Sequence, residues 1–283
     1  MFSDLQLKVA AETAVMGIQK HMGAITEFAH NFKELEDRPG AAIAVPVYNL
    51  SAAAEFDEQT NNWCGGTNEV DGVVVTLDKH FIKSIALTDV EAGATDINFL
   101  RDGARAIADV LGTAANKYVF GLINDTNFEL SASFDGSSKA VFANLFKIAD
   151  DKGLNPYECV VVLTPEYFAK ALSYLDSSVY GGSDAIRTGV IPGLYGFKSF
   201  ICSSFLPEGV KGAIITQDAI GVVSRTNKPA VDGYAATWTA ATPDGVALGY
   251  RVFENLCQGR MYLGADALFG AKVLKANGAV RLV

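Results

Sequence analysis

Apolar positions near the start of the chain recur at spacings of three and four. Ile18, Met22, Ile25, Phe28, Phe32 and Leu35 fall on one helical face, while Glu12, Lys20, Glu27 and Glu34 occupy the others. This pattern predicts a helix that runs to the Arg38-Pro39-Gly40 breaker. A terminal amphipathic stretch of this kind can dock on its own domain or on a neighbour, and both options stand at this point.

Residues 43–48 read as a short strand, with Pro46 favouring an edge position. A polar, glycine-containing stretch follows over 51–72 and includes Asn61-Asn62-Trp63-Cys64-Gly65-Gly66. From 73 to 88 the pattern alternates. Val73, Val75, Leu77, Phe81, Ile85 and Leu87 share one face, interrupted by Lys79 and Lys83, and Thr76, Asp78, His80, Ser84 and Thr88 share the other. Sixteen residues in one strand would reach about 50 Å, whereas a compact chain of this length has a radius of gyration of only ~19 Å. Two architectures satisfy the pattern: one strand that projects from the body, or two strands joined by a bend near Lys79-His80.

A long helix is predicted next, capped by Thr95 or Asp96 and extending to about Ile123. Its repeat is Ile97, Leu100, Ala104, Ile107, Leu111, Ala114 and Tyr118. Gly103 and Gly112 each weaken it by up to ~1 kcal/mol relative to alanine, unless they permit close packing or a bend. Residues 124–136 read as a loop. Ser138 then caps a second helix whose inward face is Val141, Phe142, Leu145, Ile148 and Ala149, and Gly153 ends it. The all-apolar run 159–163 predicts a strand covered on both faces. Thr164 and Pro165 open a third helix with Phe168, Ala171, Leu172 and Leu175 inside.

The remainder is β-rich. Residues 177–188 form a polar loop, 189–207 a Gly/Pro-punctuated turn feeding a strand, and 213–224 a further strand region. Thr242-Pro243-Asp244-Gly245 is a hairpin turn between 234–241 and 246–253. Asp266-Ala267-Leu268-Phe269-Gly270 reads as a short turn before a final strand. There is no internal repeat and no Pro/Ser linker, so the helices and strands belong to one interlocked α+β unit.

Composition narrows the picture. The chain has 283 residues, 49% of them apolar, enough for a sizeable core. Its net charge of −9 counts against a dedicated nucleic-acid binder, though not against a wall that encloses DNA without gripping it. Cys64, Cys159, Cys202 and Cys257 lie far apart, and Cys159 and Cys202, inside apolar runs, are expected to be small buried hydrophobes. The N-terminus lacks the layout of a signal peptide, and no apolar run reaches the ~20 residues of a membrane span. A protein made in a reducing cytoplasm is expected.

The stretch Gly189-Val-Ile-Pro-Gly-Leu-Tyr-Gly, continuing to Ser203-Ser204-Phe205-Leu206-Pro207, resembles a segment of tailed-bacteriophage major capsid proteins, the Hong Kong 97-like shell-forming family. Other segments are similar in the same order. They are 73–80 with 88–92 (the returning limb of an extended loop), 213–220 (a late lobe strand), and 266–270 followed by 279–282 (the C-terminal pattern). The order over nearly the whole chain carries the resemblance. It implies an α+β Hong Kong 97-like fold with five regions. These are an N-terminal arm over 1–40 that lies across a neighbour, an extended β loop over 41–93 that reaches over an adjacent subunit, and a peripheral domain with a spine helix over 94–153. An axial domain follows over 154–229, with 177–188 near the symmetry axes, and 230–283 is the second part of the peripheral domain. The implied function is self-assembly into pentamers and hexamers, forming the icosahedral head of a tailed phage around double-stranded DNA. The virion would assemble in the bacterial host cytoplasm, without a membrane, alongside portal and decoration proteins. The spine helix begins near residue 95, leaving no room for a long scaffolding segment, so the scaffold is separate or missing.

Catalytic, cofactor and metal residues are not expected. His21, His30 and His80 have no ligand spacing, and there is no Gly-x-Ser-x-Gly elbow, phosphate loop or Gly-x-Gly-x-x-Gly. His80 reads as a surface residue. Lys79 or Lys83 with Asn277 has the residue types of the isopeptide weld found in some such shells, but solvated lysines explain them more simply. Two alternatives are kept: an encapsulin-like compartment, which would need a cargo groove, and a soluble α/β enzyme, which would need a convergent acid/base pair in a pocket.

Overall fold

The structure, a computed structural model, describes residues 4–32, 42–49, 69–88, 91, 97–174, 190–192, 195–225, 236–241, 247–255 and 257–283. The polar loop at 177–188, Trp63 and Cys64 lie outside these residues.

Helix α1 spans Asp4–Thr26 and buries Ala10, Ala14, Ile18, Met22 and Ile25. It stops short of the Arg38-Pro39-Gly40 breaker, because the chain turns at Thr26 and enters strand β1 (Ala29–Asn31), which pairs in parallel with β10 (Ile220–Arg225). Phe28 stays buried with its ring 5.3 Å from that of Phe120 and tilted 47° to it, so it serves the core from a turn rather than from a helix. Helix α2, Ile97–Gly121, is the expected long helix, about 37 Å in length. Helix α1 lies parallel on it. A Cβ at Gly112 would stand 2.6 Å from the Cβ of His21, and one at Gly17 would stand 2.8 Å from Ala108, so these glycines set the closeness of the pair. Asn116 donates to the His21 carbonyl at 3.0 Å, and His21 Nε2 lies 2.9 Å from Asp109. The N-terminal helix thus docks on its own chain.

The first sheet is built around β13 (Arg260–Val273), the longest strand of the described residues. One edge of β13 pairs with β4 (Lys79–Thr88). The other is taken first by β12 (Ala247–Asn255) and then by β10, while β11 (Ala236–Ala241) extends the sheet beyond β12. Strands β11 and β12 pair antiparallel on either side of the predicted Thr242-Pro243-Asp244-Gly245 turn, which itself lies outside the described residues. Residues 266–270 are not a turn. They are the middle of β13, and their small and apolar residues suit a strand paired on both edges. Helices α1 and α2 cover one face through Leu263, Ala265, Phe269, Tyr250 and Val252.

The second sheet has the order β5-β14-β9-β6-β8-β7, with β5 Ser131–Ala132, β6 Cys159–Leu163, β7 Val190–Pro192, β8 Ser199–Cys202, β9 Gly212–Thr216 and β14 Ala279–Leu282. Strand β6 is wholly buried, as its apolar run requires. Cys159, Val161 and Leu163 face helices α3 (Lys139–Asp151) and α4 (Pro165–Ser173), while Val160 and Val162 join the main core. Helix α3 packs here rather than beside α2. The region read as one strand over 213–224 is two strands, and the turn at Thr216–Ala219 carries the chain from the second sheet into the first. Within 189–207, Tyr195 (φ 51°) and Gly196 (φ 84°) form a left-handed turn, and Gly196 also has no room for a Cβ, which would stand 2.8 Å from Phe146. Cys159 is buried, but Cys202, at the end of β8, is exposed.

Strands β2 (Ala42–Asn49) and β3 (Glu69–Thr76) form a separate two-stranded antiparallel ribbon. Of the two architectures open to residues 73–88, the bend is the one present. It lies at Leu77-Asp78, between β3 and β4.

Candidate assembly surfaces

The ribbon is tied to the body at its root. Val45 and Val75 pack with Val223 in a small apolar cluster that Phe32, Leu77 and Leu274 complete. The backbone of Thr76 crosses directly over Gly270, where no side chain could be accommodated, and Lys272 Nζ donates to the Val74 carbonyl at 3.0 Å. Between ribbon and body lies a crevice of about 540 Å³, lined by Val47 and Val73 on one side and Leu154, Asn155, Asp218 and Asn277 among others.

The Leu77-Asp78 bend is held from the helix side. Tyr118 Oη lies 3.0 Å from Asp78 Oδ1 and 3.3 Å from the Ala271 carbonyl, and Lys79 Nζ sits 5.3 Å from the centre of the Tyr118 ring. Burial first, then the hydrogen bond and charge of Asp78, push the Tyr118 phenol up to about 12. Lys79 is therefore engaged at the bend rather than simply solvated.

Sheet register aligns the outward side chains in rows, because directly paired residues point to the same face. Arg225, Leu268 and His80 form one row, Gly249, Asp266 and Ile82 the next, and Arg251, Gly264 and Ser84 the third. Phe253, Tyr262 and Ala86 come fourth, and Asn255, Arg260 and Thr88 last. Asp266 is only 3% exposed although it lies on this face. Its Oδ2 is 2.9 Å from His80 Nε2 and 3.3 Å from the Arg251 guanidinium, and its Oδ1 is buried without a hydrogen-bond partner among the described residues. Ile82 beside it is 64% exposed, and the rings of Phe253 and Tyr262 stack 5.0 Å apart with 5° between their planes.

Sequence reasoning missed this His80–Asp266–Arg251 group and placed His80 as a plain surface residue. The available signal was a single carboxylate inside the run Gly264-Ala265-Asp266-Ala267, since a lone acid in an apolar strand calls for a cationic partner. The three histidines are not brought together: His21 meets Asp109, His80 meets Asp266, and the His30 ring lies 4.6 Å from that of Phe32, tilted to it. Among the described residues no group of three His, Cys, Asp or Glu could hold a metal ion, and no helix is long and apolar enough to cross a membrane. Lys79 and Lys83 lie on the helix side of β4, while Asn277 lines the crevice, so one copy does not join them.

No protein-family model and no curated protein matches the chain. Solved structures do. The capsid of the cyanophage P-SCSP1u is 12% identical and aligns over 91% of this chain and 86% of its own, with a TM-score of 0.56. The mature capsid of bacteriophage PhiM1 is 11% identical over 92% and 86%, with a TM-score of 0.52. A virus-like particle from Pyrococcus furiosus is 9% identical over 97% of both chains, with a TM-score of 0.51. The fold is the α+β major capsid fold of tailed bacteriophages, as the order of segments in the sequence implied.

Proposed function

We propose that this chain is the major capsid protein of a tailed bacteriophage, a shell subunit that closes into pentamers and hexamers around double-stranded DNA. The observation that carries the reading is the β2–β3 ribbon. It is a two-stranded hairpin pinned to the body at its root on a fold shared with capsid subunits across more than four-fifths of each chain. A two-stranded ribbon is at best marginally stable alone, so contacts with a neighbouring subunit would supply the packing it lacks. Heterologous contacts of this kind close into rings, and rings into a shell. The acidic balance of −9 suits a wall that does not adhere to packaged DNA.

The proposed division of labour assigns 41–93 to the extended loop and, of the 154–229 expected to be the axial domain, the second-sheet lobe up to Thr216 to that domain, because β10 (Ile220–Arg225) pairs in the first sheet. The spine helix and the first sheet would make up the peripheral domain. Residues 4–32 travel with that spine helix, to which they are packed. Shells would form in the host cytoplasm, and portal and decoration proteins would complete the virion. A compartment shell is the second reading; the same fold occurs in a virus-like particle from Pyrococcus furiosus over 97% of both chains, so a closed particle other than a phage head is compatible with it. Sedimentation of the concentrated protein tests the proposal. Large closed particles support it, and loss of those particles on deleting residues 50–71, with the remaining chain folded, supports the loop assignment. Unchanged particles from the deletion would remove that assignment.

A further inference from the structure

We propose that helix α1 pairs antiparallel with α1 of a second copy of this chain, across a two-fold axis at Met16, and that this contact joins one ring of subunits to the next. The inference rests on the shell reading above and adds a contact that ring formation leaves unassigned.

The outward face of α1 carries Val9, Glu12, Met16, Lys20 and Gly23, all exposed. At about 100° per residue they fall within an arc of about 80°, directly opposite the buried stripe of Ala10, Ala14, Ile18, Met22 and Ile25. The helix is docked on α2, yet this face keeps features that call for a partner. Met16 is 63% exposed and Val9 44%. Glu12 and Lys20 make no hydrogen bond or ion pair among the described residues. A Cβ added at Gly23 would meet nothing within 4 Å, so the helix surface has an open notch there.

The order of these residues makes the face its own complement. Glu12 and Lys20 stand four residues before and after Met16, and Val9 and Gly23 stand seven before and after it. An antiparallel copy centred on Met16 therefore brings Glu12 level with the partner's Lys20, and Lys20 level with the partner's Glu12, about 6 Å on either side of the axis. Val9 comes level with the notch at the partner's Gly23, about 10 Å from the axis. The two Met16 side chains meet on the axis, where an unbranched, adaptable side chain suits contact with its own copy. A parallel pairing would set glutamate beside glutamate and lysine beside lysine, so the charges select the antiparallel one. Ring closure uses heterologous contacts between two different patches, whereas a two-fold contact needs one self-complementary patch. The α1 face is a patch of the second kind. One helix against one helix is a small contact, so repetition over the shell would supply the strength that a single pair lacks.

Thiol crosslinking tests the pairing. Cys64, Cys202 and Cys257 are replaced by serine in the full chain, and Met16→Cys is added. Particles, and the concentrated chain beside them, are treated with diamide, which is reduced as the disulfide forms. Met16→Cys should link two copies at least about tenfold faster than Val110→Cys, an exposed position on the neighbouring helix. Glu12→Cys and Lys20→Cys chains should link to each other when mixed, and neither should link to itself. Self-linking of Glu12→Cys, or no linking of Met16→Cys within intact particles, overturns the pairing and leaves the shell reading standing. Linking of Met16→Cys in a chain that forms no particles, with or without scaffold, supports the helix pair and overturns the shell reading. Loss of both overturns both. Charge exchange is the second test. Glu12→Lys alone, or Lys20→Glu alone, sets like charges level on both sides of the axis and should lower particle yield about tenfold in low salt, while the two together should restore it. Both positions are exposed, so the unfolding midpoint of the unassembled chain should not move. Full particle yield from either single exchange would overturn the proposal.

Discussion

Tyr118 of the long helix and Asp78 at the strand bend meet at 3.0 Å, and this contact fixes where the ribbon leaves the body. The tyrosine also reaches the Ala271 carbonyl, so helix, ribbon root and central strand converge on one hydroxyl. With the phenol pushed up to about 12 from its ordinary 10, the neutral form is favoured in the folded protein. Its contribution is complete below pH 10 and is lost as pH rises through about 12. Urea midpoints of the wild type should therefore fall across that window, with a smaller fall in Tyr118→Phe. Absorbance at about 295 nm should show one fewer late-titrating phenol in the variant than in the wild type, because buried Tyr250 is pushed up as well and titrates late in both.

The α1–α2 crossing gives opposite outcomes for two glycines of similar sequence context. Gly112→Ala gains helix propensity but sets a Cβ 2.6 Å from His21, and should cost about 1–3 kcal/mol. Gly23, also helical, has nothing within 4 Å of the added atom. Gly23→Ala should be neutral or stabilise by up to ~1 kcal/mol. Thermal unfolding of the two variants separates packing from propensity.

Asp266 should be far less tolerant than its partner His80. Removing the carboxylate leaves the guanidinium of Arg251, largely covered in the sheet, without that contact, and the expected loss is about 3–5 kcal/mol. The His80 side chain is about a third exposed, and His80→Ala should cost about 1 kcal/mol or less. Denaturant unfolding of both variants checks the order. Equal losses would mean that Arg251 does not depend on Asp266.

Cysteine reactivity should follow burial. Desolvation and the nearby Glu158 charge push the Cys159 thiol up to about 12 inside β6, whereas Cys202 and Cys257 are exposed. Brief alkylation followed by peptide mapping should label Cys257 first and the exposed Cys202 more slowly, because desolvation pushes its thiol up as well, and should leave Cys159 unlabelled until the protein unfolds.

Much of this architecture was legible because its signals are local. The α2 repeat, the wholly apolar β6 and the Pro243-Asp244-Gly245 turn each identify their element without help from the rest of the chain. Where the reading departed, non-local pairing had decided the outcome. Phe28 and Phe32 continue a helical period, yet the parallel partner β10 draws residues 29–31 into a sheet. The segment 266–270 has turn-like small residues, but partners on both edges make it strand. Cys202 lies in an apolar run and is exposed only because β8 ends there. The outward face of the first sheet was the least visible. Its arginines come from β10, β12 and β13, and only the register brings them together.

Negative-stain electron microscopy of the protein, alone and after addition of a candidate scaffold, addresses the central claim most directly. The shell account predicts closed particles, or rings of five and six subunits. A protein that stays a monodisperse monomer or dimer when concentrated, with and without scaffold, would contradict it.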